Sequence, residues 1–357
     1  SMKKRAQSFV KNFASKKGKV KAKYIRAMAL NNHHVMRADK KLSTAEAQEF
    51  MQEMVDSGNV EYIEVDQMLK PFSTPNDPRF DDQWHYYEQA GGLNLPTAWD
   101  TATGSGVVVA VLDTGYRPHA DLNANILPGY DMISNLSVAN DGGGRDSDAR
   151  DPGDAVAANE CGTNGAQNSS WHGTHVAGTV AAVTNNGEGV AGVAYNAKVV
   201  PVRVLGKCGG LTSDIADGII WASGGSVSGI PANSNPADVI NMSLGGSGSC
   251  SSTTQNAINT ARSNGTVVVI AAGNDNDNSA NYNPGNCNGV VNVASVGRNG
   301  GRAYYSNYGS NIDVAAPGGA QSFANDSEGV LSTYNSGSST PSSDSYGFSQ
   351  GTSMAAP

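Results

Sequence analysis

The sequence predicts an α/β protein in which a mainly parallel sheet lies between two layers of helices, preceded by a small α+β unit. Three observations predict it. Uninterrupted apolar runs recur beyond Gly104, helical stretches separate several of them, and the first 73 residues differ from the rest in charge and pattern. Strands apolar on both faces belong to sheets covered on both sides, and their alternation with helices marks a parallel arrangement.

In chain order, "VKAKYIRAMAL" and "HHVMRAD" are predicted as strands, "TAEAQEFMQEMVDSG" as an amphipathic helix, and "NVEYIEVDQML" as a last strand. The prolines of "KPFSTPNDP" (Lys70–Pro78) predict an extended linker. Beyond it, "VVVAVLD", "KVVPVRVL", "DVINMSL", "TVVVIAAGN" and "VVNVASVG" read as buried strands. "HGTHVAGTVAAVT", "SDIADGIIWAS" and "TTQNAINTARSNG" read as the helices between them. Ligands of such sheets bind at the carboxyl ends of the strands, so functional residues are sought there.

The 357 residues suffice for one large and one small domain, residues 74–357 and 1–73. With 43 Gly and only 16% charged residues, the chain reads as short elements joined by many ordered loops. Residues 1–73 carry fourteen Lys and Arg against eight Asp and Glu, and the rest ten against twenty-four, so the net −8 divides into +6 and −14. Opposite charges on two parts of one chain suggest docking of one on the other. A basic nucleic-acid arm fits less well, because residues 1–73 are patterned as a folded unit, and no nucleic-acid partner is expected. No run of about 18 apolar residues exists to span a membrane, and the basic start "SMKKRAQSFVKNFASKKGK" lacks the apolar centre of a signal peptide. A monomer is expected.

Cys161, Cys208, Cys250 and Cys287 all lie in loops of the acidic part. An even number in that setting favours two disulfides and an oxidising compartment, and three pairings are possible. The sequential pairs, 161–208 and 250–287, are preferred; free buried thiols are the alternative.

Asp113 ends the first buried run, where a carboxylate needs hydrogen-bond partners. His172 and His175 stand at i, i+3 with no Glu between, which disfavours the metal pair of an i, i+4 motif. His172 falls at the start of its helix and is read as functional, His175 as a packed core histidine. "GFSQGTSMAAP" offers Ser353 after Gly351, the setting of an exposed nucleophile, but Ala355 breaks the G-x-S-x-G elbow and all six histidines precede the serine. The esterase order therefore fails and the order Asp113, His172, Ser353 survives.

"DTGYRPHADL", "HGTHVAG", "NMSLGG", "VVVIAAGN", "DVAAPG" and "GTSMAAP" resemble, nearly letter for letter, the signature blocks of the subtilisin-like serine proteases. The resemblance runs from about Thr74 to Pro357 and is nearest to the secreted, disulfide-containing subtilases of Gram-negative bacteria. It implies the subtilisin-like three-layer fold after a ferredoxin-like pro-domain that serves as chaperone and inhibitor, and extracellular hydrolysis of proteins and peptides with broad specificity. It implies Ser353 as nucleophile, His172 as base, Asp113 as its orienting partner, and Asn274 with the Ser353 amide as oxyanion donors. Cys208–Leu211, with Gly209, Gly210 and Leu211, and Ser243–Gly246, with Leu244 and Gly245, correspond to the segments that hold substrate as an added strand. Ala271, Ala272 and Gly273 join the predicted substrate surface. The resemblance also implies structural Ca2+ at Asp77, Asp121, Val183, Asn186, Glu188 and Val190, an oxygen-rich set suited to a hard cation.

Asp113 and His172 stand further apart than in compact members of the family, and the added loop contains "NDGGGRDSDARDPGD". Asp141, Asp146, Asp148, Asp151 and Asp154 crowd that loop and repel one another without a cation. A second calcium site is expected there, a solvated loop being the alternative. The family's nucleophile helix continues beyond the point where this chain stops, so a fragment of a longer protein is expected, with an incomplete catalytic domain, a short pro-region and doubtful activity of the piece alone. The pro-region tail Met68–Thr74 is expected to lie across the active site and to be cut near Phe72–Thr74. Two other readings compete: a non-catalytic binding module, which the retained Asp113, His172, Ser353 and Asn274 set argues against, and a selective processing protease. The latter needs an acidic substrate lining, and neither "CGGL" nor "SLGG" contains an acidic residue.

Overall fold

A computed structural model describes residues 2–13, 15, 20–66, 74–162 and 164–357. The chain divides into two compact units, Ser1–Pro71 and Phe72–Pro357. In the smaller, helices α1 (Met2–Asn12) and α2 (Thr44–Asp56) accompany the antiparallel pair β1 (Ala22–Ala27) and β2 (His34–Ala38). A capping box starts α2: Ser43 Oγ accepts from the Glu46 amide while the Glu46 carboxylate accepts from the Ser43 amide. Its core is Val20, Phe50 and Met54, with Phe9 and Phe13 packed against them.

Two features of this unit differ from the sequence reading. The basic start is a helix, whose Val10 is buried. Residues 59–66 of the expected last strand 59–69 have no ladder partner among the described residues, and 67–69 lie outside them. Alternation marks which side chains can be buried, but a strand also needs an edge to pair with; Val60 and Ile63 fill the core without one. Of the tail Met68–Thr74, expected to be cut near Phe72–Thr74, all but Thr74 lies outside the described residues.

The larger unit runs α3 (Leu95–Ala98), β3 (Val108–Asp113), β4 (Tyr130–Asp131), α4 (Leu136–Ala139), α5 (His172–Ala181), β5 (Lys198–Arg203), α6 (Thr212–Ala222), β6 (Val239–Met242) and β7 (Gly246–Ser247). Then follow α7 (Ser252–Ser263), β8 (Val267–Ala271), β9 (Tyr282–Asn283), β10 (Val291–Val296), β11 (Val314–Pro317), β12 (Val330–Asn335), β13 (Asp344–Ser349) and α8 (Thr352–Ala355). Seven strands form one sheet in the order β11-β10-β8-β6-β3-β5-β4, with every neighbouring pair parallel.

Period two along the strands sorts side chains to the two faces. On β3, Ala110 and Leu112 join Ile219 of α6 and Ile258 of α7 in one core, while Val109 and Val111 join Val176 and Val180 of α5 in the other. Fully burying a side chain such as Leu112 or Ile240 contributes about 1.5–3 kcal/mol. Because the strands are parallel, their carboxyl ends share one edge, and Asp113 pairs in register with Arg203 there. The antiparallel hairpin β12–β13 covers α5 and leads the chain into α8. Its polar residues are buried in use: Ser332 Oγ donates to the His175 carbonyl and Thr333 Oγ1 to that of Thr174. Both preferred disulfides are formed, Cys161–Cys208 and Cys250–Cys287, with Cα separations of 5.2 and 5.1 Å.

Candidate active site

Asp113, at the carboxyl end of β3, is fully buried. Its Oδ1 accepts from the Thr114 amide and from His172 Nδ1, both at 2.7 Å. Its Oδ2 has no hydrogen-bond partner among the described residues, so the imidazole is its main counter-group. His172 is the first residue of α5, after Trp171 in the left-handed conformation, whose indole is anchored on the Gly337 carbonyl at 2.7 Å. Burial disfavours the imidazolium, but the charge and hydrogen bond of Asp113, with Asp154 and Asp151 beyond, outweigh it and hold the His172 pKa above its ordinary value.

His175, one turn along, points into the core, where Nε2 bonds the carbonyls of Val330 (3.0 Å) and Gly347 (3.2 Å). Burial depresses its pKa to about 4. The two histidines thus serve different surroundings, His172 Nδ1 facing Asp113 and His175 Nε2 the core carbonyls.

Ser353 sits in the first turn of α8, after Gly351 at φ 148°. Its Oγ donates to the Ser243 carbonyl at 3.3 Å, and no hydrogen bond joins it to His172 among the described residues. Ser243 Oγ in turn donates to the Ser353 carbonyl at 2.8 Å. Asn274 Oδ1 accepts from both the amide and the hydroxyl of Thr352, at 2.8 and 2.9 Å, which leaves its Nδ2 toward the cleft.

Two clefts meet at Ser243. One, of about 230 Å³, brings together Ser353 and Asn274 with Ser243, Leu244, Gly245, Gly246, Ala271, Ala272 and Gly273, along with Asp275, Tyr282 and Asn283. The other, of about 420 Å³, brings His172 together with Thr114, Asp154, Ser170, Gly206 and Gly209. Gly210 and Leu211 do not line it and continue into α6. The pairing of β7 with β9 and the Cys250–Cys287 bridge buttress the first cleft, and Cys161–Cys208 borders the second.

Several supporting residues escape sequence reasoning. Thr352 fixes Asn274, and fully buried Asn307 organises the loop beside it, accepting from the amides of Asp275 and Asp277 and donating to the Ala272 carbonyl. Gly273, at φ 103°, leaves room for the Asn307 amide that a Cβ would strike. Thr352 adjoins the Ser353 motif, a signal that could have found it; Asn307 carries none. Asp154 and Asp275 give the clefts acidic residues that "CGGL" and "SLGG" lack.

The two acidic sets fare differently. Asp77 and Asp121 are both buried at the 183–190 loop. Asp121 accepts from Asn186 Nδ2 (2.7 Å) and the Val190 amide (2.9 Å), and the Val183 amide donates to its carbonyl. Asp77 Oδ2 accepts from the Asn185 amide, but its buried Oδ1 has no partner among the described residues. Burial raises both pKa values, that of Asp121 to about 6. Glu188 is exposed, its amide on Asn186 Oδ1. An orphaned carboxylate oxygen beside a second buried carboxylate fits a hard cation.

The 140–154 loop does not bring its five carboxylates together, contrary to the expectation from their density. Asp141 pairs with Arg203 at 2.9 Å and Asp148 with Arg150. Asp146 accepts from the Asp148 amide, Asp151 from Thr114 Oγ1 at 2.8 Å, and Asp154 from Ser170. Among the described residues no three His, Cys, Asp or Glu side chains form a metal-holding group.

Residues 104–357 match the Subtilase family, peptidase S8. The chain belongs to the subtilase family. It is 60% identical over 93% of its length to an extracellular protease of Xanthomonas campestris pv. campestris and 48% identical over 88% to an extracellular basic protease of Dichelobacter nodosus. This subtilase chain spans about half the length of these two curated relatives, 56% and 52%. Thermitase of Thermoactinomyces vulgaris is 36% identical over 80% of the chain and 82% of its own. The crystal structure of a cold adapted subtilisin-like serine proteinase matches with a TM-score of 0.52 at 28% identity, covering 77% of this chain and 80% of that one. The fold is thus the subtilisin-like α/β fold, with its parallel sheet flanked by helices.

Proposed function

We propose that the protein is a secreted, calcium-stabilised serine endopeptidase that hydrolyses proteins with broad specificity through an acyl-enzyme, made as a zymogen with residues 1–73 as its inhibitory pro-region. The observation that carries this reading is the meeting at Ser243 of the Asp113-paired His172 and of Ser353 beside the tethered Asn274 amide. The two disulfides and the extracellular relatives support secretion.

In this mechanism Ser353 Oγ leaves the Ser243 carbonyl as substrate binds and turns to His172 Nε2; catalytic hydrogen bonds commonly close only in the substrate complex. Oγ attacks the scissile carbonyl carbon while its proton passes to Nε2, and Asp113 holds Nδ1–H and stabilises the imidazolium. The oxyanion receives hydrogen bonds from Asn274 Nδ2 and the Ser353 amide, a first-turn N–H without an intrahelical acceptor. Collapse expels the amine with the proton from Nε2, and water then repeats the sequence on the acyl-enzyme. Substrate lies extended along Ser243–Gly246 and past Gly209, where glycines admit a second backbone. Calcium, when bound by Asp77, Asp121, Val183, Asn186, Glu188 and Val190, supplies a cross-link between the loop and the start of the catalytic unit.

The test is hydrolysis of an unfolded protein and of chromogenic peptides by the full-length protein. Ser353→Ala is expected to abolish turnover, and Asn274→Ala to lower kcat by about 10²–10³ with KM little changed, the cost known for this donor in subtilisin. Turnover that survives Ser353→Ala would refute the reading.

A further inference from the structure

The acidic loop reaches the catalytic histidine by a route that neither the triad nor calcium uses. Asp154 Oδ1 accepts from the Ser170 amide at 2.6 Å and Oδ2 from Ser170 Oγ at 2.7 Å. Ser170 Oγ accepts in turn from the His172 amide at 3.3 Å. The carboxylate therefore grips Ser170, two residues before the start of α5, with both oxygens and lines the cleft that His172 lines.

The loop is built to hold it there. Asp151 Oδ1 accepts from the Gly153 amide at 2.8 Å and Asn140 Nδ2 donates to the Gly153 carbonyl at 2.9 Å. Gly153 stands at φ 104°, where a Cβ would strike the Ser339 carbonyl. The Ala155 amide donates to Ser169 Oγ at 3.2 Å, and Ser169 Oγ donates to the same Ser339 carbonyl at 2.7 Å. Asp154 is thus fixed on both sides along the chain.

We propose that Asp154 is a positioning residue for His172: through Ser170 it sets the start of α5, and its charge stands beside the imidazole as a second carboxylate behind Asp113. The inference rests on the proteolytic reading above. A fixed negative charge aimed at a group that becomes cationic in the transition state costs no reorganisation at the moment of reaction. The ionisable groups that act on His172 are Asp113 of β3, Asp151 and Asp154 of the loop, and His175 of its own helix; Arg117 donates to the Asp151 carbonyl and Tyr334 of β12 feels the charge of Asp154, each one group further out. The three carboxylates act in one direction on the imidazole.

Asp154→Asn, Asp154→Ala and Ser170→Ala in the full-length protein separate charge from relay. Asp154→Asn keeps the shape and removes the charge, and the acid limb of kcat/KM is expected to move down by about 0.3–1 pH unit. Ser170→Ala keeps the charge and breaks the relay, and kcat is expected to fall roughly 10-fold with KM within about twofold and the acid limb in place. Asp154→Ala combines both losses. Melting temperatures accompany each variant; if Asp154→Ala fails to fold, the Asn variant carries the test. Folded Asp154→Asn and Ser170→Ala proteins with the parent's acid limb and kcat would overturn the proposal while the parent stays active. A parent inert toward peptides would instead sink the proteolytic reading itself.

Discussion

Two loops of the catalytic unit carry dense negative charge, and they resolve it in opposite ways. Among the described residues, the 183–190 loop and Asp77 leave a buried carboxylate oxygen without a partner next to Asp121. The 140–154 loop disperses its charge: Arg150 pairs with Asp148 and Arg203 of β5 with Asp141, while Asp146, Asp151 and Asp154 accept from the Asp148 amide, Thr114 Oγ1 and Ser170. Density of carboxylates alone therefore does not make a cation site. What distinguishes the two is whether protein groups meet the carboxylates: those of the 140–154 loop rest on arginines, amides and hydroxyls, whereas the buried Asp77 Oδ1 has no partner among the described residues.

The comparison can be broken from either side. The largest effect is expected at Arg203, fully buried between Asp131, Asp141 and the Ala139 carbonyl. Arg203→Met leaves Asp131 buried without its cation and should cost about 3–5 kcal/mol in denaturant unfolding; a cost below about 1 kcal/mol would mean that the loop is held by something else. Next comes calcium. At 100 times Kd a cation that binds only the folded state contributes about 2.7 kcal/mol, so chelation should lower Tm by roughly 5–10 °C. Asp77→Ala should remove that calcium response, whereas Asp141→Asn and Asp148→Asn should leave it intact. A response that disappears with the 140–154 variants instead would reverse the assignment of the two loops.

A third effect is read in activity. His172 must be neutral to accept the proton, and its pKa stands above the ordinary 6.5 because Asp113 and the loop carboxylates outweigh burial. Activity is therefore expected to fall as pH drops through a value above 6.5, earlier than for a free imidazole. A kcat/KM profile flat to pH 6 would contradict this. The smallest effect belongs to the exposed pair of Asp148 with Arg150, where Asp148→Asn should cost less than about 1 kcal/mol.

Much of this was legible in the sequence. The strands β3, β5 and β6 place apolar residues in both helix-covered cores, and β8 in one of them, so these runs could be read directly. The hairpin β12–β13 could not, since its buried Ser332 and Thr333 serve as hydrogen-bond donors to α5 and leave no apolar signature. In the site, Asp113, His172, Ser353 and Asn274 were visible because each stands in a short motif. Their supports were not: Asn307 acts on a loop some thirty residues earlier, and Asp154 acts through Ser170 across a fold in the chain. The acidic loop misled because counting its carboxylates took no account of Arg203, 62 residues from Asp141 in sequence.

The central claim is that Ser353 is a nucleophile activated by His172. The most direct measurement is labelling of the full-length, calcium-loaded protein with a fluorophosphonate probe, with the modified peptide mapped by mass spectrometry beside Ser353→Ala and His172→Ala controls. A single adduct on Ser353 is expected in the parent and none in either variant. A folded, processed protein that takes no label, or takes it on another serine, would contradict it.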